Sequence, residues 1–279
     1  MMIQRHLCRW AVLAAALVLA GCAAPDTLHE RPGYWADQST AARAYNERVR
    51  FLVLHYTGGD EARAVQVLTG PAVSSHYLVA PAPPERGGAP IVRQLVPERA
   101  RAWHAGTSSW ADRSHINDSS IGIEIVNRGR HESPRGQVWA GYSAAQIDAL
   151  IVLLRDLVSR YDIQPQNVVG HADVSPGRKI DPGPAFPWKR LHEAGIGAWP
   201  DPGRVATYRA RFRRRMPDMR TIQRALARYG YDLPVTGEHD QRTHAVLTSF
   251  QMHFRPARYD GRPDPETLAR LWALNAEYR

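Results

Sequence analysis

Between residues 34 and about 200, short apolar runs of strand length alternate with helical stretches. That alternation restricts this part of the chain to an α/β domain, a mixed central sheet flanked by helices. Strands are expected at Phe51–Tyr56 and at residues 76–79, 91–96, 121–126 and 168–171. The clearest helix is Ala144–Tyr161. Ser143 and Gln146 have the spacing of a capping box, and Ile147, Leu150, Ile151, Leu154, Leu157 and Val158 form one apolar stripe. With 279 residues, 44% of them hydrophobic and 23% charged, the chain can fill more than one core. Disorder, collagen, coiled coil and a bundle of membrane helices are all excluded.

The composition changes after residue 200. Arg204, Arg209, Arg211, Arg213, Arg214 and Arg215 crowd residues 201–216, which read as a basic linker or a solvated helix. Residues 217–279 carry a small internal repeat, in which Gly237, Asp240 and Thr243 recur as Gly261, Asp264 and Thr267. Each Gly-x-x-Asp-x-x-Thr precedes a helical pattern, with the glycine in the turn and the aspartate as N-cap. Pro265 stands at a first helical position, where a missing N–H costs nothing. With an earlier helix over Met219–Tyr229, the tail reads as a small all-α three-helix domain. Its expected core is Ile222, Leu226, Val246, Phe250, Leu268 and Leu271. No cluster of acid, base or nucleophile in it is suited to chemistry, so it reads as a binding or structural module.

At the amino end, Arg5 and Arg9 precede an apolar run too short to span a bilayer, which reads as an export signal over residues 1–21. Its ending, Leu19-Ala20-Gly21-Cys22, resembles the bacterial lipoprotein box. That resemblance implies cleavage before Cys22 and acyl chains on its sulfur and new amino terminus, which anchor the protein to a membrane without a spanning helix. An ordinary secretory signal is the alternative. The chain has only two cysteines, Cys8 in the signal and Cys22, so no disulfide supports the mature fold. Residues 22–33 read as an extended tether. Removing residues 1–21 leaves 34 basic against 27 acidic side chains, a balance suited to an anionic polymer or surface. Export disfavours nucleic acid as that polymer.

Three residues are candidate ligands for a divalent metal: His55 and His171 at the ends of expected strands, and Asp181 in a following turn. Two imidazoles and one carboxylate hold zinc tetrahedrally with a fourth position free for water, the pattern of a catalytic site. Spacing alone leaves open that the histidines are ordinary core or surface residues. Glu124 lies in the apolar strand Ile121-Gly122-Ile123-Glu124-Ile125-Val126, facing away from the isoleucines and beside a glycine that leaves room. It is either a carboxylate on a solvated sheet face or a general base for a metal-activated water. Lys179 can reach the same place from the Asp181 turn and stabilise an oxyanion; otherwise it is a surface lysine.

Five segments together resemble the zinc-dependent N-acetylmuramoyl-L-alanine amidases of the amidase type 2 family, related in fold to peptidoglycan recognition proteins. They are Val53-Leu54-His55-Tyr56-Thr57, Ser75-His76-Tyr77-Leu78-Val79, Ala102-Trp103-His104-Ala105-Gly106, Asn117-Asp118-x-Ser120-Ile121-Gly122-Ile123-Glu124, and the long run from Gly170-His171-Ala172-Asp173 through Lys179-x-Asp181-Pro182-Gly183 to Trp188. The resemblance implies Zn²⁺ on His55, His171 and Asp181, with Glu124 as catalytic acid/base and Lys179 as transition-state stabiliser. It also implies a substrate groove involving Trp103, His104, Arg113 and Asn117, with His76 either in the groove or only supporting the site. The tail resembles the peptidoglycan-binding type 1 family through Ile222-Gln223-x-x-Leu226, Gly230-Tyr231, Phe250-Gln251 and the paired repeat.

The implied domains are a signal peptide (1–21), a tether (22–33), a zinc amidase domain (34–200), a basic linker (201–216) and a peptidoglycan-binding domain (217–279). The implied reaction is hydrolysis of the amide between N-acetylmuramic acid and L-alanine in peptidoglycan or muropeptides, in cell-wall remodelling or recycling. Ala23 stands where an aspartate retains lipoproteins at the inner membrane, which points to the outer membrane, facing the periplasm. The competing reading is a wall-binding protein without turnover. A serine or cysteine hydrolase lacks support, since no Gly-x-Ser-x-Gly occurs and the one mature cysteine is the anchor.

Overall fold

The computed structural model describes residues 27–134 and 136–279. The chain divides into two compact units, one ending at Asn46 and one spanning residues 47–279. The expected signal peptide and Cys22 lie outside the described residues. Within the first unit, Leu28–Arg31 pairs antiparallel with Tyr34–Asp37 around a turn in which Gly33 takes a φ of 84°. The last residues of the expected tether are therefore half of an exposed hairpin. Pro32-Gly33 supplies the turn, and a left-handed φ favours glycine. No helix among the described residues is long and apolar enough to cross a membrane.

The second unit is built on a five-stranded mixed sheet. Its strands run in the order Val168–Gly170, Phe51–Tyr56, Ser120–Ile125, Tyr77–Val79 and Arg93–Gln94; the first four are parallel and the last antiparallel. The strand expected over residues 91–96 thus shortens to two residues at an edge. Helix α1 (Glu61–Leu68) follows the Phe51–Tyr56 strand, and α2 (Ala144–Tyr161) covers one face of the sheet. On that face Leu52, Leu54, Ile121, Ile123 and Ile125 meet the α2 stripe of Ile147, Leu150, Ile151, Leu154 and Leu157 in one buried cluster. Ser143 caps α2 by accepting from the N–H of Gln146 at 3.1 Å. The reciprocal half of the expected capping box is absent. The Gln146 side chain instead donates to the carbonyls of Val79 and Val126 at 3.1 and 2.9 Å, satisfying the Val126 carbonyl at the end of its strand.

The strand expected to end at His171 stops at Gly170, and His171 opens a four-residue helix, α3 (His171–Val174). A short α4 (Trp188–Glu193) follows. Residues 201–216 are not a linker: α5 (Pro202–Arg214) buries Val205 and Phe212 and packs along the last helix, α8 (Pro265–Tyr278). The reason is a narrow apolar stripe, Val205, Tyr208 and Phe212, at helical spacing between the arginines. Helices α6 (Met219–Tyr229) and α7 (Gln241–Phe254) complete the tail. Asp240 and Asp264 cap α7 and α8, accepting from the N–H groups of Thr243 and Thr267 at 2.7 and 2.8 Å. Ahead of each cap a buried glutamine of the preceding helix clasps the turn. Gln223 takes the N–H of Gly237 and gives its amide to Glu238 O and Thr243 Oγ1; Gln251 does the same with Gly261, Arg262 O and Thr267 Oγ1.

The tail core contains all six expected residues and is continuous with Phe51, Val53 and Val169 on the second face of the sheet. The catalytic and C-terminal segments therefore share one core within the second unit.

Glu98 fastens the sheet to α2. Its carboxylate accepts two bonds from Arg160 at 2.7 Å, one from the Tyr161 hydroxyl at 2.5 Å and one from the Tyr77 hydroxyl. The Arg160 guanidinium, outweighing burial and aided by the two phenols, holds the Glu98 carboxyl down at about 2. A carboxyl with a depressed folded pKa stabilises above its unfolded pKa and loses that contribution as pH falls through the folded value. Glu98→Gln is expected to cost about 1–2 kcal/mol at neutral pH, reduced by the exposure of Arg160. Urea unfolding should show the gap to wild type closing between pH 4.5 and 2.

Candidate active site

The second face of the sheet carries the chemistry. Glu124 is paired in register with His55 on the adjacent parallel strand, so their side chains emerge side by side. Gly122, two residues earlier on the same face, has no room for a side chain: a Cβ there would lie 2.4 Å from the ring of His104. The space anticipated beside Glu124 is thus filled by a histidine from a neighbouring loop.

His55, His171 and Asp181 converge. His55 Nδ1, His171 Nδ1 and Asp181 Oδ2 lie 3.0 Å from one another on all three sides, and all three residues are buried. Donors at the corners of a zinc tetrahedron with bonds of about 2.0–2.1 Å are about 3.3 Å apart, so the triangle fits one face of such a site. Asp181 is fixed relative to His171 by the backbone, since Ala172 N–H donates to the Asp181 carbonyl at 2.8 Å.

The proton positions follow from the surrounding bonds. Ser120 Oγ donates to the carbonyl of Ile116 at 2.7 Å, so it accepts from His104 Nε2–H at 3.1 Å. His104 Nδ1 is then an acceptor and accepts a hydrogen bond from His55 Nε2–H at 3.0 Å. His171 Nε2–H donates to the carbonyl of Ala105 at 3.1 Å. Both Nδ1 atoms therefore turn bare lone pairs toward the Asp181 carboxylate. Three acceptors at mutual contact repel unless a cation lies among them, and this donor set of two imidazoles and a carboxylate suits zinc. Burial keeps His104 neutral and, with the neighbouring His171, pushes His55 down to about 4; a neutral imidazole is the form that binds metal.

The triangle opens on a cleft of about 340 Å³ whose walls include Tyr56, Trp103, Glu124, Arg178 and Lys179. Glu124 Oε2 is buried with no hydrogen-bond partner. Burial, reinforced by the charge of Asp181 and opposed by that of Lys179, pushes the Glu124 carboxyl up to about 8. The carboxylate that its strand pattern left ambiguous is thus in the cleft beside His55, His171 and Asp181.

The residues expected in the substrate groove divide differently. Trp103 is half-exposed on the cleft wall. His76 is fully buried and spends its ring on Gly122 N–H and the Ala100 carbonyl. Asn117 is buried and accepts from the N–H groups of His104 and Ala105 at 3.2 and 2.8 Å, holding the loop that supports both ligand histidines. His104 borders the cleft, but both its nitrogens are engaged. Arg113 sits exposed on a hairpin, where Ser109–Trp110 pairs with Arg113–Ser114, and does not line the cleft. His76 thus takes its supporting role, and His104 and the amide oxygen of Asn117, expected in the groove, are engaged with the scaffold. The support given by Ser120 and the Ala105 carbonyl had no sequence signal beyond their place in the quoted motifs, because a backbone carbonyl leaves no trace in residue identity.

Comparison with known proteins agrees with this geometry. Residues 45–184 match the family described as N-acetylmuramoyl-L-alanine amidase, and residues 215–271 match a putative peptidoglycan binding domain. The chain is 48% identical over 269 residues to N-acetylmuramoyl-L-alanine amidase AmiD of Escherichia coli (strain K12), covering 96% of this chain and 97% of that protein. A structure of E. coli AmiD with the substrate anhydro-N-acetylmuramic acid-L-Ala-D-gamma-Glu-L-Lys matches with a TM-score of 0.83 at 46% identity, over 90% of this chain and 98% of that one. AmpDh3 from Pseudomonas aeruginosa, in complex with anhydromuramic pentapeptide, matches with a TM-score of 0.78 at 46% identity, over 86% and 96% respectively. The shared fold and 48% identity over nearly the whole chain show that this chain belongs to the N-acetylmuramoyl-L-alanine amidase family.

Proposed function

We propose that the protein is a zinc-dependent amidase that hydrolyses the bond between the lactyl group of N-acetylmuramic acid and L-alanine in peptidoglycan or its muropeptide fragments. One observation carries this reading: three acceptors meet at 3.0 Å in a cleft beside a buried carboxylate oxygen that has no partner. His55, His171 and Asp181 hold the zinc, which when bound polarises a carbonyl and acidifies water. Glu124 takes a proton from the attacking water and hands it to the leaving L-alanine nitrogen. Its buried Oε2, which has no hydrogen-bond partner, is free to accept that proton and release it again. Lys179 brings a positive charge to the cleft, where oxyanion character develops on the former carbonyl oxygen. Trp103 offers an exposed indole face to the sugar. In the same reading Cys22 is acylated, and the protein faces the periplasm from the outer membrane while the tail engages peptidoglycan.

Purified wall and anhydro-muropeptides digested with zinc-loaded protein should release peptides with free L-alanine amino termini, and chelated protein should release none. Cleavage between sugars or within the stem, read by mass, would refute the assignment. Glu124→Gln should retain one zinc per chain and lose about 10²–10⁴-fold in turnover; full activity would remove Glu124 from the mechanism.

The same carboxyl gives a pH signature in the chelated protein. Its folded pKa of about 8 lies above its ordinary 4.5, so the folded state binds the proton more tightly, and stability declines as pH rises from 4.5 to 8. The slope is at most about 1.4 kcal/mol per pH unit. Thermal melts of metal-free Glu124→Gln should therefore gain on wild type between pH 5 and 8; a constant difference would contradict the burial argument.

For the anchor, wild type should sediment with outer membranes and Cys22→Ala should appear in the soluble periplasmic fraction. Identical partitioning of the two would dismiss acylation at this cysteine.

A further inference from the structure

The C-terminal helices pack directly behind the loop that carries two of the three ligands. His171 is the first residue of α3, and a four-residue helix has too few internal bonds to hold its own shape. Asp173, in the same turn, secures it: Asp173 Oδ2 accepts the N–H of Gly170 at 2.8 Å. Asp173 is 2% exposed, and its remaining partners come from the tail. The hydroxyl of Tyr231 donates to Oδ1 at 2.7 Å, and His253 Nδ1–H donates to Oδ2 at 2.7 Å. The His253 ring is itself fixed by stacking on Trp188 at 3.7 Å and Phe254 at 3.9 Å.

The far end of the same loop is braced as well. Arg242 of α7 donates to the carbonyl of Pro176 at 3.1 Å. Tyr259, in the turn between α7 and α8, accepts from Trp139 Nε1–H at 3.0 Å. The Trp139 ring lies so close over Gly183, two residues past Asp181, that a Cβ there would sit 2.4 Å from it. Tail residues thus touch the ligand loop between His171 and Asp181, at Asp173 and Pro176, and reach Gly183 beyond Asp181 through Trp139.

We propose that the tail has a second role besides wall binding: through Tyr231 and His253 on Asp173, it positions His171 for the metal, so that zinc affinity depends on the C-terminal helices. Tyr231 and His253 are positioning residues that act through Asp173 and touch neither ion nor substrate. This rests on the reading that His55, His171 and Asp181 take zinc. Outer partners of metal ligands typically alter affinity by about 10–100-fold when removed, and here the partner is one further bond away.

The test uses the full chain and reads zinc affinity by competition with a chromogenic chelator, with urea stability measured in parallel. Tyr231→Phe removes a single hydroxyl and should weaken zinc binding about fivefold to tenfold. His253→Asn, whose amide can replace Nδ1–H, should retain more affinity than His253→Leu. Gln251→Ala, which breaks a clasp inside the tail away from Asp173, serves as the control: it should lower stability and leave zinc affinity as in wild type. If Tyr231→Phe does not fold, Tyr259→Phe on the exposed turn reads the second brace and should weaken zinc in the same direction. Wild-type affinity in Tyr231→Phe, or equal losses in Tyr231→Phe and Gln251→Ala, would overturn the positioning role. A wild-type chain that binds no zinc would instead overturn the proposed function on which it rests.

Discussion

Three electron-rich atoms held in mutual contact inside a protein are costly, and the organisation around this cleft is largely the means of holding them there. The Ile116 carbonyl orients Ser120, Ser120 orients His104, and His104 accepts from His55 Nε2–H, which leaves His55 Nδ1 bare. On the other side the Ala105 carbonyl does the same for His171. The repulsion left behind gives such a site its appetite for a divalent cation.

Much of this was legible in the chain itself. The strands that carry His55 and Glu124 show in their apolar pattern, and the α2 stripe identifies which sheet face is core. The ligand set follows from residue types that zinc prefers together with a long family motif. What the pattern did not disclose are roles determined by hydrogen-bond direction. His76, His104 and Asn117 lie in motif segments, which mark them as important but do not say for what; only the bonds show that they serve the scaffold. Arg113 was placed by family analogy alone, and the structure puts it on an exposed hairpin outside the cleft.

The basic segment after residue 200 failed for a different reason. Six arginines conceal a stripe of only three apolar residues, so charge density masks the periodicity. A helix whose partner arrives sixty residues later has no local cue to its burial. The tail shows the opposite case. Its glycine turns and aspartate caps are local devices, and the repeat announced both, though the glutamine clasps beneath them required the packed structure to be recognised.

Gly122 carries no polar side chain and touches no ligand, yet the helper imidazole rises through the gap it leaves in the sheet surface. Any larger residue at that point would displace His104 and, with it, the proton arrangement two bonds away. A missing methyl group is therefore as much a part of this cluster as the imidazoles themselves, and the residue with the least chemistry is among the hardest to replace.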